Sequence, residues 1–316
     1  MSLHDSILDT IGRTPIVRLN RIGPAHATLY AKIESFNPGG SVKDRLALAI
    51  VLDAEQRGLL KPGDTIVEAT SGNTGNAFSM VAAVKGYRMI VVMPEGLTSE
   101  RVAISRAYGA EVLLSGNFHV NEALERAREL GRQPGYFFPG QFESEWNVQE
   151  NREILGPEIL AQLPDGRTPD AFVHGVGTGG TLIGVGQAFR AANPDVRLFA
   201  MEPSESRTLL CGEVDLHGIE GISDGFVPGI FSRHRDLVSD FLSVSSTDAV
   251  VEMRKLASTR GLLCGPSSGA HLIAARRIRE QFPELKTVVT VLADKGEKYL
   301  HDFYMQTGDT GSPPLH

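Results

Sequence analysis

The stretch HGVGTGGT, residues 174–181, follows the apolar run 171–173 and precedes a segment with a helical pattern. Three of its glycines, Gly175, Gly177 and Gly180, have G-x-G-x-x-G spacing. A glycine-rich turn from a strand into a helix lets the backbone come close to a ligand. It also directs several N–H groups and the positive end of the helix dipole towards that ligand. The stretch therefore predicts an anion site, for a dinucleotide or for a single phosphate group.

Short β-branched runs alternate with helical patterns along the chain. The predicted strands lie at residues 65–69, 87–93, 111–115, 171–174, 196–202 and 287–293. The predicted helices lie at residues 76–86, 99–110, 120–131, 156–163, from the glycine loop to about 192, 248–261 and 268–282. Strands that alternate with helices form βαβ units, so we expect an α/β fold with mostly parallel, twisted sheets flanked by helices.

The alternation falls into two series, which the irregular segment 137–151 separates. We therefore expect two α/β lobes, with the ligand between them at the carboxyl ends of the strands. The smaller lobe is expected at residues 46–145, and the larger lobe at residues 1–45 plus 146–316.

The composition excludes several classes of protein. Of the 316 residues 41% are hydrophobic and 22% are charged, which is typical of a soluble globular protein. The net charge of −7, with scattered Lys and Arg, argues against a nucleic-acid or membrane partner. The start of the chain lacks the pattern of a secretory signal, and no apolar run approaches the roughly 18 residues of a membrane span. A cytoplasmic protein is expected.

The two cysteines, Cys211 and Cys264, are too few for a disulfide framework and lack the spacing of metal ligands. No metal site is therefore expected. Free cysteine is among the most frequently buried residues, so both are expected to be small buried side chains in a reducing compartment.

Two more glycine-rich loops narrow the choice of anion. SFNPGGSVKDR, residues 35–45, places Lys43 ahead of a helix, and ATSGNTGNA, residues 69–77, follows the strand 65–69. In the dinucleotide alternative, Glu202 at the end of the next strand would bind a ribose hydroxyl. That alternative gives Lys43 and the loop 69–77 no function, and it offers no residues for hydride transfer.

A single phosphate group accounts for all three loops. The hydroxyls of Thr178 and Thr181 add donors to the glycine N–H groups, which suits a compact phosphate. Among phosphorylated cofactors, pyridoxal phosphate also requires a lysine amine, with which it forms a Schiff base. Lys43 is the candidate for that lysine.

Four motifs then resemble one family, the β-family (fold type II) of pyridoxal-phosphate enzymes. They are NPGGSVKDR (37–45), TSGNTG (70–75), GVGTGGT (175–181) and GLLCGPSSGA (261–270). Within that family the chain is most similar to the group of cysteine synthase (O-acetylserine sulfhydrylase) and cystathionine β-synthase. The resemblance implies the two-lobed, tryptophan synthase β-like fold, with a smaller mobile lobe that carries the substrate-carboxylate loop, and a homodimer.

The resemblance also implies roles for individual residues. Lys43 would carry the cofactor and act as the general base for the substrate α-proton, which a desolvated, neutral amine can do. Asn73 would bond the pyridine 3′-oxygen, Ser267 would face the pyridine nitrogen, and Gln141 would close on the substrate carboxylate. The residues implied for the phosphate are Gly177, Thr178, Gly179, Gly180 and Thr181. Those implied for the carboxylate loop are Thr70, Ser71, Gly72, Asn73 and Thr74.

The identity of Ser267 has chemical consequences. A serine leaves the pyridine nitrogen unprotonated or only weakly hydrogen-bonded, so the cofactor ring is a weaker electron sink. A weaker sink favours prompt loss of a β-substituent over transamination. The implied reaction is elimination from O-acetylserine or serine to an aminoacrylate, then addition of sulfide or a thiol to give L-cysteine or a related β-substituted alanine. Condensation of serine with homocysteine stays an alternative. Ser267 could also cap the helix that follows it.

The chain departs from the family pattern at GIEGISDGFVPG, residues 218–229. Asp224 replaces a small residue on the leaving-group side, where it could repel O-phosphoserine and assist departure of a hydroxyl from serine. Glu220 stands where a phosphoserine-using relative would want a cation. An exposed loop acid without a role is the alternative for Asp224. A catalytically silent binding protein is the alternative for the whole chain. The presence of all four residues implied for the cofactor and substrate argues against it: Lys43, Asn73, Gln141 and Ser267.

Overall fold

The structure is a computed structural model, and it describes residues 3–19, 28–96, 99–117 and 119–305. Its strands are β1 Ile16–Arg18, β2 Thr28–Ile33, β3 Thr65–Ala69, β4 Arg88–Glu95, β5 Glu111–Asn117, β6 Tyr136–Phe137, β7 Ala171–Gly175, β8 Arg197–Pro203, β9 Asp240–Val244 and β10 Thr287–Leu292. Its α-helices are α1 Lys43–Gln56, α2 Asn73–Lys85, α3 Ser99–Ala107, α4 Val120–Leu130, α5 Glu145–Glu150, α6 Gly156–Gln162, α7 Gly180–Ala192, α8 Thr208–Cys211, α9 Gly229–Arg233, α10 Ser246–Arg260 and α11 Pro266–Gln281.

The strands form two sheets, as the alternation of strands and helices predicts. The smaller sheet has the order β5-β4-β3-β6 and is parallel throughout. The larger sheet has the order β1-β2-β10-β7-β8-β9, and only the pair β1–β2 is antiparallel. The α/β fold class is therefore confirmed. The domain boundaries at residues 46 and 145 stay a prediction.

The larger sheet is buried on both faces, which explains why its strands are continuous apolar runs. Neighbouring residues of β7 point to opposite sides: Phe172 packs with α6 and α7, and Val173 packs with α10 and α11. In the smaller sheet, α1 and α2 cover one face and α4 covers the other. This layering directs the carboxyl ends of β3 and β7 to one place, where Thr70 and Val176 leave the strands.

Two expectations from the sequence were wrong. The segment 137–151 is not irregular throughout, because α5 forms within it and buries Val148 against Ile183 of α7. Of the two cysteines, Cys264 is buried but Cys211 is exposed. None of the helices within the described residues is long and apolar enough to cross a membrane.

Candidate active site

One cavity lies where the loops after β3 and β7 meet the start of α1, and with its mouth it encloses about 740 Å³. It brings together most of the residues that the sequence predicts for the site. Those that line it are Lys43, Thr70, Ser71, Asn73, Thr74, Gln141, Gly177, Thr178, Gly179, Thr181, Asp224 and Ser267. Gly72 and Gly180 do not line the cavity, but Gly72 is the N-cap of α2 and Gly180 is the first residue of α7, and residues next to both line it.

Lys43 is the first residue of α1 and its side chain faces this cavity. Burial lowers the pKa of its amine to about 8, and the negative charges of Asp224 and Glu68 partly oppose this shift. Burial also raises the pKa of the Asp224 carboxyl. The cavity thus holds a lysine that loses its proton closer to neutral pH than a solvated lysine does, which favours a nucleophilic or basic amine.

The turn after β7 forms a cradle for an anion at the N-terminus of α7. A Cβ at Gly177 would come within 2.4 Å of the Gly221 carbonyl oxygen, and Gly179 has a φ of +89°, so both positions need glycine. The hydroxyl oxygen of Thr178 accepts hydrogen bonds from Asn147 Nδ2 at 2.8 Å and from the Gly180 N–H at 3.3 Å. Because a hydroxyl has one proton and two acceptor positions, Thr178 keeps its proton to donate into the cavity.

These features fit a phosphorylated aldehyde cofactor. The cradle offers backbone N–H groups, a threonine proton and a helix dipole to a phosphate. Lys43 offers a neutral amine to an aldehyde in the same cavity. Thr178, Thr181 and the glycines of the turn would hold the phosphate, and Lys43 would hold the carbonyl carbon.

The turn after β3 is closed by hydrogen bonds to Gln141. Gln141 Nε2 donates to the Ala69 carbonyl at 2.9 Å, and its Oε1 accepts from the Thr74 hydroxyl at 2.7 Å. The Gln141 N–H donates to Glu68 Oε2 at 3.1 Å. Burial raises the pKa of the Glu68 carboxyl to about 8. Both ends of the Gln141 amide are therefore fixed beside the predicted carboxylate loop.

Ser267 is the second residue of α11 and lines the cavity. Gly265 is the N-cap of this helix and Pro266 is its first residue. The suggestion that Ser267 caps the helix was therefore wrong.

Arg101 of α3, which was not predicted from the sequence, is fully buried at the cavity wall. Its guanidinium donates to the Ser71 carbonyl oxygen and to the Tyr299 hydroxyl, and it forms an ion pair with Glu220. These contacts join the smaller-sheet unit to a loop of the larger one. No local pattern marks Arg101, because its partners lie far away in the sequence.

Two histidines that were not predicted from the sequence, His174 and His271, lie at the cavity wall with their ring centroids 4.4 Å apart. His271 Nδ1 donates to the Val291 carbonyl at 2.7 Å, and its Nε2 accepts from the Gly175 N–H at 2.7 Å. His174 Nδ1 donates to the Gly175 carbonyl, which leaves Nε2 as an acceptor without a partner among the described residues. Burial lowers the pKa of His271 to about 4 and the pKa of His174 well below its usual value. His174 could have been predicted at the site, because it is the first residue of the glycine-rich stretch 174–181.

Glu202, the acid of the dinucleotide alternative, is fully buried and does not line the cavity. Its carboxylate accepts hydrogen bonds from the N–H groups of Leu209 at 2.8 Å and Leu210 at 3.2 Å. It therefore stabilises the start of α8 and is not free to bind a ribose.

The chain is similar to known proteins over almost its whole length. The model of a family described as "Pyridoxal-phosphate dependent enzyme" matches residues 7–294. The O-ureido-L-serine synthase of Streptomyces lavendulae is 48% identical over 99% of this chain and 96% of its own length. The cysteine synthase of Staphylococcus aureus is 44% identical over 94% of this chain and 95% of its own. The crystal structure of the O-acetylserine dependent cystathionine beta-synthase from Helicobacter pylori superposes with a TM-score of 0.91 at 35% identity, and covers 96% of this chain and 100% of its own.

Proposed function

Because the chain belongs to the family of pyridoxal-phosphate dependent enzymes, we propose that it replaces the β-substituent of O-acetylserine or serine. Sulfide or another small nucleophile would enter, and the product would be L-cysteine or a related β-substituted alanine. The observation that carries the proposal is the cavity itself, in which Lys43, the loop after β3 and the cradle of α7 meet. When bound, the cofactor supplies the electron sink for negative charge at the substrate α-carbon.

Lys43 would attach the cofactor and, once the substrate amine has displaced it, accept the substrate α-proton. Its lowered pKa of about 8 makes the neutral form of the amine, which a general base requires, far more abundant near physiological pH than in a solvated lysine. Asp224 and Glu68 limit how far the pKa falls, so the amine can also keep the proton once it has accepted it.

The substrate carboxylate would bind at the loop from Thr70 to Thr74. This loop leads into the N-terminus of α2, where N–H groups and the helix dipole favour an anion. Thr74 and Gln141 are already joined there, so the polar side chains around the carboxylate need little reordering. Closure of the smaller lobe would then exclude water from the reacting atoms.

Asp224 would act in the choice of leaving group. It lines the same cavity as Lys43, and its negative charge raises the pKa of the lysine amine. A carboxyl there disfavours a phosphate leaving group and could assist a hydroxyl. The test compares kcat/KM on serine, O-acetylserine and O-phosphoserine for the wild type and for Asp224→Ala. An unchanged preference in the variant would remove this role.

A second candidate nucleophile is the oxygen of hydroxyurea. It is favoured by the 48% identity to an O-ureido-L-serine synthase, since that product carries a ureido group on the serine oxygen. The same cavity and the same residues would serve this reaction, and only the entering group differs. Homocysteine stays a third candidate. A homodimer is proposed from the family resemblance, and a cytoplasmic location is proposed from the sequence composition.

The experiment supplies the holoenzyme with O-acetylserine or serine plus sulfide, homocysteine or hydroxyurea, and identifies the amino-acid product by mass. Borohydride reduction followed by peptide mapping shows which lysine carries the cofactor, and Lys43→Ala is the control. We expect the label on Lys43 and a β-substituted alanine with at least one nucleophile. A label on another lysine, or no product with any pair, would contradict the proposed function.

A further inference from the structure

We propose that Lys298 and Asp294 are positioning residues, which lock the side-chain amide of Asn73 so that it offers a hydrogen-bond donor to the cofactor. This inference rests on the proposed function, in which Asn73 meets the ring oxygen of pyridoxal phosphate. Both residues lie in the C-terminal segment 292–300, and the proposed reaction assigns them no other task.

The contacts are direct and largely buried. Lys298 Nζ donates to Asn73 Oδ1 at 2.7 Å, and Asn73 Nδ2 donates to Asp294 Oδ2 at 2.6 Å. Lys298 is 5% exposed and Asp294 is 1% exposed, whereas Asn73 lies at the cavity wall as the first residue of α2. The amide of Asn73 is thus held between a cation and a carboxylate.

This arrangement allows only one orientation of the amide. An ammonium group has no acceptor and an ionised carboxylate has no donor, so Lys298 must face the amide oxygen and Asp294 the amide nitrogen. A flipped amide would place N–H groups against the ammonium and an oxygen against the carboxylate. Two favourable charge-assisted hydrogen bonds would become two repulsive contacts.

The remaining capacity of the amide follows from this orientation. Nδ2 has two protons and gives one to Asp294, so one N–H stays available to the cavity. A ring oxygen that accepts this N–H is stabilised in its deprotonated form, because hydrogen bonding to the charged form of an acid favours that form. The pair thereby sets the protonation state of a group it does not touch.

Asp294 is itself held in place by further contacts. The Tyr299 hydroxyl donates to Asp294 Oδ2 at 2.5 Å, and Arg101 donates to that hydroxyl at 3.2 Å. Arg101 also donates to the Ser71 carbonyl in the carboxylate loop. The hydrogen bonds that hold Asn73 are therefore connected to the loop expected to bind the substrate. They join segments more than 190 positions apart in the chain.

The test uses the holoenzyme with Lys298→Met, which removes the ammonium and keeps most of the side-chain volume. Two observables are measured: the ratio of the near-ultraviolet to the visible absorption band of the lysine-bound cofactor, and the cofactor dissociation constant. We expect a gain in the near-ultraviolet band, which reports the protonated ring oxygen, and roughly tenfold weaker cofactor binding, the effect of one lost hydrogen bond. Lys298→Arg should restore the wild-type spectrum.

Lys295→Met is the matched control, because it removes a cation from the same segment, whereas the hydrogen bonds of the Asn73 amide go to Asp294 and Lys298. Asp294→Asn is a second variant, since an amide at 294 can donate as well as accept, and it should produce the same spectral gain. Wild-type spectra and affinities in Lys298→Met and Asp294→Asn would overturn the inference, while a borohydride label on Lys43 would still support the proposed function. No label on Lys43 in the wild type would overturn both.

Discussion

The hydroxyl of Thr74 donates a hydrogen bond of 2.7 Å to the side-chain oxygen of Gln141. The two residues are 67 positions apart in the chain, and each comes from a loop expected to bind the substrate carboxylate. Because the other end of the Gln141 amide bonds the Ala69 carbonyl, the position of this side chain is fixed by two contacts. Hydrogen bonds within the protein therefore orient Gln141 and Thr74 at the proposed carboxylate site.

Thr74→Val keeps the shape of the side chain and removes the donor to Gln141. We expect KM for the amino-acid substrate to rise roughly tenfold with a smaller effect on kcat, because one oriented hydrogen bond is lost. Steady-state kinetics measure this change. Ser79→Ala is the matched control, since its hydroxyl is buried on the same helix and bonds the Gly75 carbonyl at 2.7 Å outside the cavity. Equal effects of the two substitutions would contradict the prediction.

Asp224→Asn should lower the pKa of Lys43. Burial lowers that pKa to about 8, and the negative charge of Asp224 is the first of the charges that oppose the shift. Without this charge the neutral amine forms at lower pH, so cofactor-free protein should capture pyridoxal phosphate faster on the acidic side of pH 8. The measurement is the capture rate against pH, with the exposed Asp236→Asn as control. If the pH midpoint of the capture rate is unchanged or higher in Asp224→Asn, the charge of Asp224 does not raise the pKa of Lys43.

Glu220→Gln should destabilise the protein strongly. The side chains of Arg101 and Glu220 are 1% and 3% exposed, and removing one partner leaves the guanidinium buried with less compensation. We expect the free energy of unfolding to fall by about 3–5 kcal/mol, measured by urea denaturation. Glu129→Gln is the control, because it breaks an ion pair in which Arg126 is 52% and Glu129 is 63% exposed. This substitution should change the free energy of unfolding by at most about 1 kcal/mol. Similar losses of unfolding free energy in the two variants would contradict the prediction that the buried pair of Arg101 and Glu220 stabilises the protein more than the exposed pair.

Glu150→Gln should change how stability depends on pH. Burial raises the pKa of the Glu150 carboxyl from 4.5 to about 8, with Arg45 opposing the shift. The folded state therefore holds this proton longer than the unfolded state, and the stability it contributes below pH 4.5 is lost as the pH rises through about 8. Glutamine does not titrate, so the variant should gain melting temperature relative to the wild type between about pH 5 and about pH 9.

Glu153→Gln is the control for this measurement, because Glu153 is exposed in the same segment and bonds Arg152. It should show no relative gain as the pH rises. If the melting temperature of Glu150→Gln follows that of the wild type at a constant difference from about pH 5 to about pH 9, Glu150 is ionised in the folded protein.

Local sequence patterns were sufficient for much of the fold. The apolar runs of β3 and β7 and the glycines after them follow from strand and turn chemistry, which depends on near neighbours. β2 was missed because Lys32 interrupts its apolar run. Lys32 is nevertheless buried, since Glu158 and the Thr14 carbonyl bind its ammonium, and those partners come from elsewhere in the fold.

The sequence by itself determined the α/β class, the family, and the loops that meet at the cavity, because glycines, a lysine and short apolar runs act within a few residues of one another. Only the tertiary structure decided which groups surround them. The buried contacts of Arg101, Asp294 and Lys298 join segments that are distant along the chain. Their strength comes from the exclusion of water, and water is excluded only once the two sheets and their helices have packed together.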